Sequence, residues 1–399
     1  MRILYGVVGE GMGHATRSKV ALTHLLSKGH EIEVVVSGKA HKFLQDSFAQ
    51  HPRIRIREIQ GLTLAFRENE MDLGGTVLEN LLKAPSSLLH NSLTYLEMQF
   101  DGFQPQAVIS DFESWAYLYA ANHMIPFIGI DNQQVINRCA HSTYITNDNS
   151  PEYWMTKLFT KAKLPGAYHY LATSFFFPLV KKPRTTLIPP ILRPEILQAQ
   201  RDPQDHILVY PSAALRGQIV PILRDLPYNF RVYGMPEAKQ DGNVQQQPFS
   251  QTGFIEDFRT ARAVIAGGGY SMMGEAVHLH VPMFAVPIKG QYEQEINVRY
   301  LKQLGYGDWS FQIERDRLAR FLDDVPRYTQ NLQRRYVPRD NQMLFGCLDE
   351  LLHAISLNEP PPAALQSPAM RKYEGSLLPE EKSGDIPWDE IANPLLDTL

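Results

Sequence analysis

Short apolar segments with the length of buried strands alternate with helical patterns twice along the chain, and this alternation limits the possible folds more than any other feature. Strands that alternate with helices in this way form parallel sheets covered on both faces. The sequence therefore predicts an α/β protein with two doubly wound, Rossmann-like domains. The predicted strands are 3–8, 31–36, 107–110, 127–131, 206–210, 230–233, 263–266 and 283–286, with helices at 14–28, 115–123 and 271–279.

Proline and charge mark the boundaries between these parts. Four prolines between 181 and 194 predict a stiff, extended connection between the domains. From residue 358 onward there are seven prolines and eight acidic residues against three basic ones, a composition typical of a disordered tail. We predict an N-terminal domain at 1–182, a C-terminal domain at 183–357 and a Pro-rich acidic tail at 358–399.

Composition excludes several classes of protein. A formal net charge of −4 gives no case for nucleic-acid binding, because such domains are strongly basic. Two cysteines rule out a disulfide framework and a four-cysteine zinc site, and they suit a reducing compartment. The N-terminal apolar segment is too short for a signal peptide, and no apolar segment reaches the length of a membrane span. We expect a cytoplasmic protein with peripheral membrane contact at most.

A glycine-rich turn follows the first predicted strand and opens the first helix. It includes Gly11, Gly13 and His14, and such a turn lets the backbone and the helix N-terminus approach an anion. The spacing differs from the dinucleotide fingerprint G-x-G-x-x-G, and no acid follows the second strand, so a nicotinamide or flavin enzyme is not expected. His14 is a candidate general base; alternatively it caps or packs the turn.

Asp111 and Glu113 follow a buried strand that should end at the same edge of the sheet as the first glycine turn. A carboxylate there could orient His14 and stabilise its protonated form. Alternatively, Asp111 caps the helix that follows. Because no third ligand accompanies the two acids, we expect no metal site.

The second half carries a matching glycine turn and a polar cluster. Gly268, Gly269, Tyr270 and Ser271 follow the strand at 263–266 and open a helix, which predicts a second anion site. Glu275 lies one turn into that helix, where its carboxylate could accept hydrogen bonds from two ribose hydroxyls. Amide and carboxylate groups that suit sugar hydroxyls follow the next strand, at Gln291, Glu293, Gln294 and Asn297.

Together these motifs resemble the nucleotide-sugar signature of GT-B glycosyltransferases. The first turn is similar to that of their bacterial and archaeal branch, which is related to the peptidoglycan-precursor N-acetylglucosaminyl transferase. The resemblance covers about residues 1–355. It implies two Rossmann-like domains that face each other across a cleft, with the donor bound by the second domain and the acceptor mainly by the first.

The resemblance also implies roles for individual residues. His14 and Asp111 would be catalytic, and the diphosphate would face the turn at 268–271. Glu275 would hold the ribose, and Glu293, Gln294 and Asn297 would lie near the transferred sugar. Phe254 and Ile255 would meet the base, expected to be uracil, through backbone groups. Ser212 and Arg216 would form a second phosphate loop, although this sequence lacks the glycine-rich form usual there.

The resulting hypothesis is a glycosyltransferase of the hexosyltransferase type that uses a nucleotide-sugar co-substrate, with inversion and with no metal or other cofactor. The acceptor is unknown. Residues 153–184 contain six basic residues and no acid, interleaved with aromatic residues. This pattern favours either a membrane surface, which would suit a lipid-linked or cell-envelope acceptor at the inner face of the plasma membrane, or a solvated stretch whose phenylalanines lie in the core.

Two other functions use the same motifs. A non-hydrolysing nucleotide-sugar epimerase would need further acid and base groups around the sugar, for which Glu293 and Glu295 are available. A non-catalytic protein that binds a nucleotide sugar would signal through the acidic tail.

Overall fold

The computed structural model describes residues 1–9, 11–61, 65–67, 69–363 and 365. Within these residues, the first half of the chain forms a sheet of seven parallel strands in the order β3-β2-β1-β6-β7-β8-β9. Its strands are β1 (Arg2–Val7), β2 (Glu31–Val36), β3 (Ile54–Glu58), β6 (Ala107–Asp111), β7 (Phe127–Asp131), β8 (His169–Thr173) and β9 (Thr185–Ile188). A short antiparallel hairpin, β4 (Phe66–Arg67) and β5 (Glu70–Met71), lies outside this sheet.

The described part of the second half forms another seven-stranded sheet, in the order β12-β13-β11-β10-β14-β15-β16, which is parallel except for its edge strand β12. Its strands are β10 (His206–Tyr210), β11 (Asn229–Tyr233), β12 (Lys239–Asp241), β13 (Val244–Gln247), β14 (Ala263–Gly267), β15 (Met283–Val286) and β16 (Gly307–Trp309). The predicted α/β class with two doubly wound domains is confirmed.

Helices cover both faces of each sheet. Those of the first half are α1 (Met12–Ser27), α2 (Gly38–Phe48), α3 (Leu73–Phe100), α4 (Ser114–His123), α5 (Gln134–Arg138), α6 (Thr143–Thr146) and α7 (Pro151–Lys163). The others are α8 (Pro194–Leu197), α9 (Arg216–Arg224), α10 (Gln251–Thr260), α11 (Tyr270–His278), α12 (Tyr292–Gln303), α13 (Arg315–Asp323), α14 (Val325–Arg335) and α15 (Gln342–Ser356). Across the described ranges, no helix combines the length and apolarity needed to cross a bilayer.

Two features differ from the predicted boundaries. Strand β9 pairs with β8, so the first sheet continues beyond residue 182, where we predicted the second domain to begin. Helix α15 returns to the first domain and packs against α1 and the first sheet through Met343, Cys347 and Leu351. These contacts form because α15 presents an apolar face that the first sheet and α1 bury.

The start of the predicted tail also packs against the first domain. The Tyr168 hydroxyl donates a hydrogen bond to the Glu359 carbonyl at 3.0 Å, and the Arg184 N–H donates to the Ala363 carbonyl at 3.2 Å. Leu365 is buried in the same core as α15. The first described residues of the predicted tail are therefore ordered against the first domain, and its remaining part, 366–399, lies outside the described residues.

Candidate active site

The two glycine turns face each other across the cleft between the domains. Gly11 precedes α1 and Gly269 precedes α11, so both helices begin at this point. A β-carbon placed on Gly13 would lie only 2.6 Å from the Ser271 hydroxyl oxygen, which shows how closely the two turns approach. Because each helix N-terminus carries unpaired N–H groups and about half a positive charge, this part of the cleft is suited to an anion.

His14 and Asp111 meet beside these helix N-termini, as the strand order predicts. His14 Nδ1 lies 2.8 Å from Asp111 Oδ1. An ionised carboxylate only accepts hydrogen bonds, so the proton lies on Nδ1 when this bond forms. Arg17 Nη2 is also 2.7 Å from Nδ1, but as a donor it then bonds to Asp111 and not to the protonated nitrogen. Nε2 then carries a free lone pair and can accept a proton from another molecule. The geometry is that of a general base oriented by a carboxylate.

Asp111 is held by two further side chains that the sequence analysis missed. Arg17 Nε donates to Asp111 Oδ2 at 2.8 Å, and Arg17 Nη2 donates to Oδ1. The Ser18 hydroxyl donates to Oδ2 at 2.9 Å. Arg17 and Ser18 lie three and four residues after His14, on the same face of α1, and this helical spacing is the signal that could have identified them.

Charge and burial set the protonation states of this group. Asp111 is fully buried, yet the neighbouring Arg17 and His14 hold its pKa below the usual range, against the effect of burial. Burial and the positive charge of Arg17 lower the pKa of His14. Near neutral pH the pair therefore consists of an ionised carboxylate and a neutral imidazole, the states that proton abstraction requires.

Glu113, not Asp111, caps the helix that follows β6. Its side chain accepts hydrogen bonds from the Trp115 and Ala116 N–H groups at 2.8 and 2.7 Å. Asp111 instead points to α1, so the alternative role that we gave it as a helix cap is wrong. Similarly, α1 has no side-chain cap, so His14 does not cap its turn.

Glu275 lies one turn into α11, as predicted, and is engaged by an arginine from the connection between the domains. Arg193 Nε and Nη2 donate to its two carboxylate oxygens, both at 2.8 Å. Burial raises the pKa of Glu275, and Arg193 opposes that effect. A carboxylate can accept about four hydrogen bonds, so two positions remain for ribose hydroxyls.

The polar cluster at the start of α12 divides into two groups. Gln294 lies against the second glycine turn, where its Oε1 accepts a hydrogen bond from the Ile288 N–H at 3.0 Å. A β-carbon on Gly268 would lie 2.9 Å from both Gln294 Oε1 and the Pro287 backbone, so this position needs glycine. The Gln294 side chain also donates to Gln291.

Glu293 and Asn297 instead contact the first domain. Glu293 Oε2 accepts a hydrogen bond from Gln133 Nε2 at 2.5 Å, and Asn297 Nδ2 donates to Asn132 Oδ1 at 3.3 Å. Asn297 is buried in this interface. The structure thus brings Glu293 toward the His14 side of the cleft, while Asn297 joins the domains.

The predicted second phosphate loop contacts the hairpin of the first domain. The Ser212 hydroxyl donates to Asn69 Oδ1 at 2.9 Å, and Lys289 Nζ donates to Glu70 Oε1 at 2.7 Å. Arg216 is exposed at the start of α9. The hairpin therefore spans the cleft from the first domain to the strand ends of the second.

Phe254 and Tyr270 are oriented differently from our expectation. Phe254 and Ile255 lie within α10, and the Phe254 N–H already bonds to the Ser250 carbonyl, so this group is not free to meet a base. The Tyr270 side chain is buried, and its hydroxyl is hydrogen-bonded to the Thr173 hydroxyl at 3.0 Å, so only its backbone faces the turn. Ser271 is the residue of this turn whose side chain lies at the cleft.

The basic segment 153–184 divides into a buried part and an exposed part. Phe175 and Phe176 are buried in the core, as the second alternative predicts. The exposed apolar residues of α7 instead form one stripe at helical spacing, flanked by Lys157 and Lys161. That stripe consists of Trp154, Met155, Leu158 and Phe159, which are 53–66% exposed.

Helix α3 carries a second exposed apolar surface, which the sequence analysis missed. Its residues 74–90 include no buried side chain, and Ser87 and His90 bond to Gln60 and Glu58 of the first domain. Helices α3 and α4 and the end of α7 cover the same face of the first sheet. The exposed apolar residues of α3 are Val77, Leu78, Leu81, Leu82, Leu88, Leu89, Leu93, Leu96 and Phe100.

Among the residues that the structure describes, no three His, Cys, Asp or Glu side chains are grouped so that they could hold a metal ion.

Two Rossmann-like domains with facing glycine turns, and a histidine–aspartate pair at the edge of the first sheet, define a GT-B glycosyltransferase. Residues 1–326 match the family model described as Glycosyl transferase family 1, and the chain belongs to this family. An uncharacterized glycosyltransferase of Methanosarcina acetivorans is 24% identical over 335 residues, which cover 77% of this chain and 85% of that protein.

Solved structures show the same fold at low sequence identity. MurG of Acinetobacter baumannii aligns with a TM-score of 0.54 and 15% identity over 89% of this chain and 98% of that one. UDP-glucose: anthocyanidin 3-O-glucosyltransferase in complex with UDP aligns with a TM-score of 0.61 and 13% identity over 88% and 99% of the two chains. The predicted GT-B fold and glycosyltransferase class are confirmed.

Proposed function

We propose that this enzyme transfers a sugar from a nucleoside diphosphate sugar to an acceptor hydroxyl, with inversion and without a metal ion. His14 Nε2 takes the proton of the acceptor hydroxyl as its oxygen forms a bond to the anomeric carbon. The bond from that carbon to the diphosphate oxygen breaks, and the nucleoside diphosphate leaves with the electron pair. The observation that carries the proposal is the His14–Asp111 pair beside two converging helix N-termini.

The leaving group is a nucleoside diphosphate, so the cleft must stabilise negative charge. Negative charge grows on the diphosphate as it departs, and the free N–H groups at the starts of α1 and α11 would stabilise that charge on a diphosphate bound at the two turns. Solved relatives bound to UDP and to dTDP support a nucleoside diphosphate donor here. We expect uracil as the base, with the ribose of the nucleotide bound by Glu275.

The epimerase alternative receives less support from the side-chain pairing. It requires Glu293 and Glu295 as acid and base at the sugar. Glu295 Oε2 is paired with Arg299 on the next turn of α12, at 2.9 Å, and Glu293 is bonded to Gln133 of the first domain. The oriented base at His14 favours transfer to a hydroxyl instead.

Replacing Glu275 by alanine is expected to weaken donor binding about 10- to 100-fold, because two hydrogen bonds from ribose hydroxyls to a charged group are lost. The measurement is calorimetry with UDP, TDP and GDP sugars, with and without Mg²⁺. We expect the wild type to bind one of these nucleotide sugars, with the same affinity in the presence and absence of Mg²⁺.

The matched control is Glu256→Ala. Glu256 also pairs with an arginine, Arg259, but lies on the exposed surface of α10. This variant should bind the donor like the wild type. Failure of every nucleotide sugar to bind the wild type would contradict the donor site, and a requirement for Mg²⁺ would contradict the metal-free mechanism.

We further propose that the apolar stripe of α7 lies against an anionic lipid surface, where a lipid-linked acceptor would meet the cleft. Helices with tryptophan and phenylalanine on one face and lysines at its border bind in the interface of bilayers. Each lysine near anionic lipid contributes about 1 kcal/mol to the free energy of membrane binding. Salt screens the charges and weakens this contribution. Helix α3, on the same face of the sheet, adds apolar area to this surface.

Leu158→Asp should reduce binding to vesicles of phosphatidylglycerol and phosphatidylcholine at least about fivefold, because it places a charge within the apolar stripe. Flotation of the vesicles at low and high salt measures this binding. The control is Leu357→Asp, at an equally exposed leucine after α15. Wild-type protein that does not float at low salt would contradict the membrane proposal.

A further inference from the structure

Two buried side-chain oxygens at the end of β7 lack a hydrogen-bond donor. Asp131 Oδ1 accepts a hydrogen bond from the Gln134 N–H at 2.7 Å. Among the residues that the structure describes, no donor reaches Asp131 Oδ2 or Gln133 Oε1, although the two residues are only 1% and 8% exposed. An unpaired buried acceptor costs about 1–3 kcal/mol, so each one in a native protein calls for an explanation, and beside a candidate active site a bound ligand supplies one.

Both residues lie on the acceptor side of the candidate active site. Strand β7 is the neighbour of β6, whose last residue is Asp111, and parallel strands end at the same edge of a sheet. The Gln133 amide reaches across the cleft to Glu293, so its oxygen lies within the same cleft. Asp131 belongs to the charged group formed by Arg17, Asp111 and Glu293.

The chemistry of these atoms selects the ligand. Gln133 Oε1 only accepts, so the ligand must donate a hydrogen bond there. Burial raises the pKa of Asp131 to about 7, so near neutral pH its Oδ2 accepts when ionised and donates when protonated, and a hydroxyl group can meet it in either state. A carboxylate or a phosphate monoester dianion has no donor for Gln133 Oε1 and would be repelled by the ionised carboxylate of Asp111. The diphosphate of the donor has its own site at the helix N-termini. What remains is the second substrate, whose reacting hydroxyl must lie at His14.

We propose that Asp131 and Gln133 bind hydroxyl groups of the acceptor that neighbour the hydroxyl deprotonated by His14. The acceptor is then a polyhydroxylated compound, a sugar or polyol, and not a simple alcohol or phenol. This inference rests on the proposed sugar transfer at His14 and adds the chemical class of the acceptor. Asp131 and Gln133 bind substrate in this assignment and take no part in proton transfer.

The test compares acceptors with one hydroxyl and with several. The donor is the nucleotide sugar selected by the binding measurement above, and the acceptors are octyl glucoside, octyl galactoside, octyl mannoside and 1-octanol, which share the same chain. The wild type is expected to glycosylate at least one glycoside and to leave 1-octanol unchanged. Transfer to 1-octanol at a comparable rate, or to none of the glycosides while the donor is bound and hydrolysed, would overturn the assignment.

The variant Asp131→Asn keeps the shape of the side chain and the oxygen that accepts from Gln134, but replaces Oδ2 by a donor. At pH 8.5, where the Asp131 carboxyl is ionised, it should raise the acceptor KM about tenfold or more and leave the donor dissociation constant within a factor of two. The matched control is Glu113→Gln, which removes a charge from the neighbouring strand end, where both oxygens already accept backbone N–H groups. An unchanged acceptor KM in Asp131→Asn overturns the subsite.

Two further measurements separate this proposal from its premise. If Asp131→Asn does not fold, Gln133→Leu removes the second unpaired oxygen, and the same rise in acceptor KM is expected from it. An unchanged KM would again count against the subsite. By contrast, wild-type protein that binds no nucleotide sugar contradicts the proposed function itself.

Discussion

Replacing His14 by alanine is expected to lower the rate of sugar transfer about 10²- to 10⁴-fold, the usual contribution of a general base. The donor dissociation constant should stay unchanged, because the imidazole acts on the acceptor hydroxyl and not on the nucleotide. Steady-state kinetics with a glycosylated acceptor, together with calorimetry of the donor, measures the two quantities on the same preparation.

His24→Ala is the matched control for this change. His24 lies on the same helix and is also paired with a carboxylate, since its Nε2 lies 2.8 Å from Asp349 Oδ1. That pair faces α15 and not the cleft, so the control should keep the wild-type turnover. If His14→Ala weakens donor binding as much as it slows transfer, His14 holds a phosphate or the turn itself and is not the base.

The pH profile provides an independent measure of the same role. Burial and the charge of Arg17 lower the pKa of His14 below 6.5, so its neutral form persists to lower pH than that of an ordinary histidine. The acidic limb of kcat/KM is therefore expected below pH 6.5, and it should be absent from the residual activity of His14→Ala.

The central part of the fold could be predicted from the sequence because its strands are mainly apolar. Strands β2, β7, β10 and β15 begin and end where the pattern placed them, since a strand buried on both faces is rich in apolar residues, and even β2, with Glu31 and Glu33, ends in three valines. The edge strands β3 and β12 were missed because polar residues such as Arg55 and Gln240 interrupt them. The return of α15 to the first domain has no local signal at all.

The candidate site likewise contains residues that the sequence could predict and residues that it could not. The His14–Asp111 pair was predictable although 97 residues separate the two, because adjacent parallel strands end at one edge. Asp131 ends a predicted strand at that edge and could have been identified by the same argument. The bond from Gln133 to Glu293 could not, because it depends on how the two domains face each other across the cleft.

Replacing Arg17 by methionine is expected to lower the free energy of unfolding by about 3–5 kcal/mol at pH 8, the usual result of removing one partner of a buried ion pair. Asp111 is completely buried and would keep only the hydrogen bonds from Ser18 and His14. Such a loss is a large part of the 5–15 kcal/mol typical of a folded protein. Urea unfolding at pH 5 and pH 8 measures it.

The sign of the pH dependence follows from Asp111. In the wild type its pKa is lowered, so its contribution to stability is present above its ordinary pKa of 3.8 and is lost only as the pH falls below that value. Without Arg17, burial is no longer compensated and raises the pKa of Asp111, so the variant loses stability as the pH rises above 3.8. The difference between the two proteins should therefore be smaller at pH 5 than at pH 8.

Arg57→Met is the matched control for Arg17→Met, and it distinguishes a loss of stability from a loss of catalysis. Arg57 Nε donates to Glu33 at 2.9 Å, and that carboxylate is also nearly completely buried, but the pair lies between β2 and β3, away from the cleft. Both arginine variants should lose stability, while only Arg17→Met should lose transfer activity, because only Arg17 positions the carboxylate that orients His14. An Arg17→Met protein that unfolds like the wild type but cannot transfer sugar would show instead that Arg17 acts directly on a substrate.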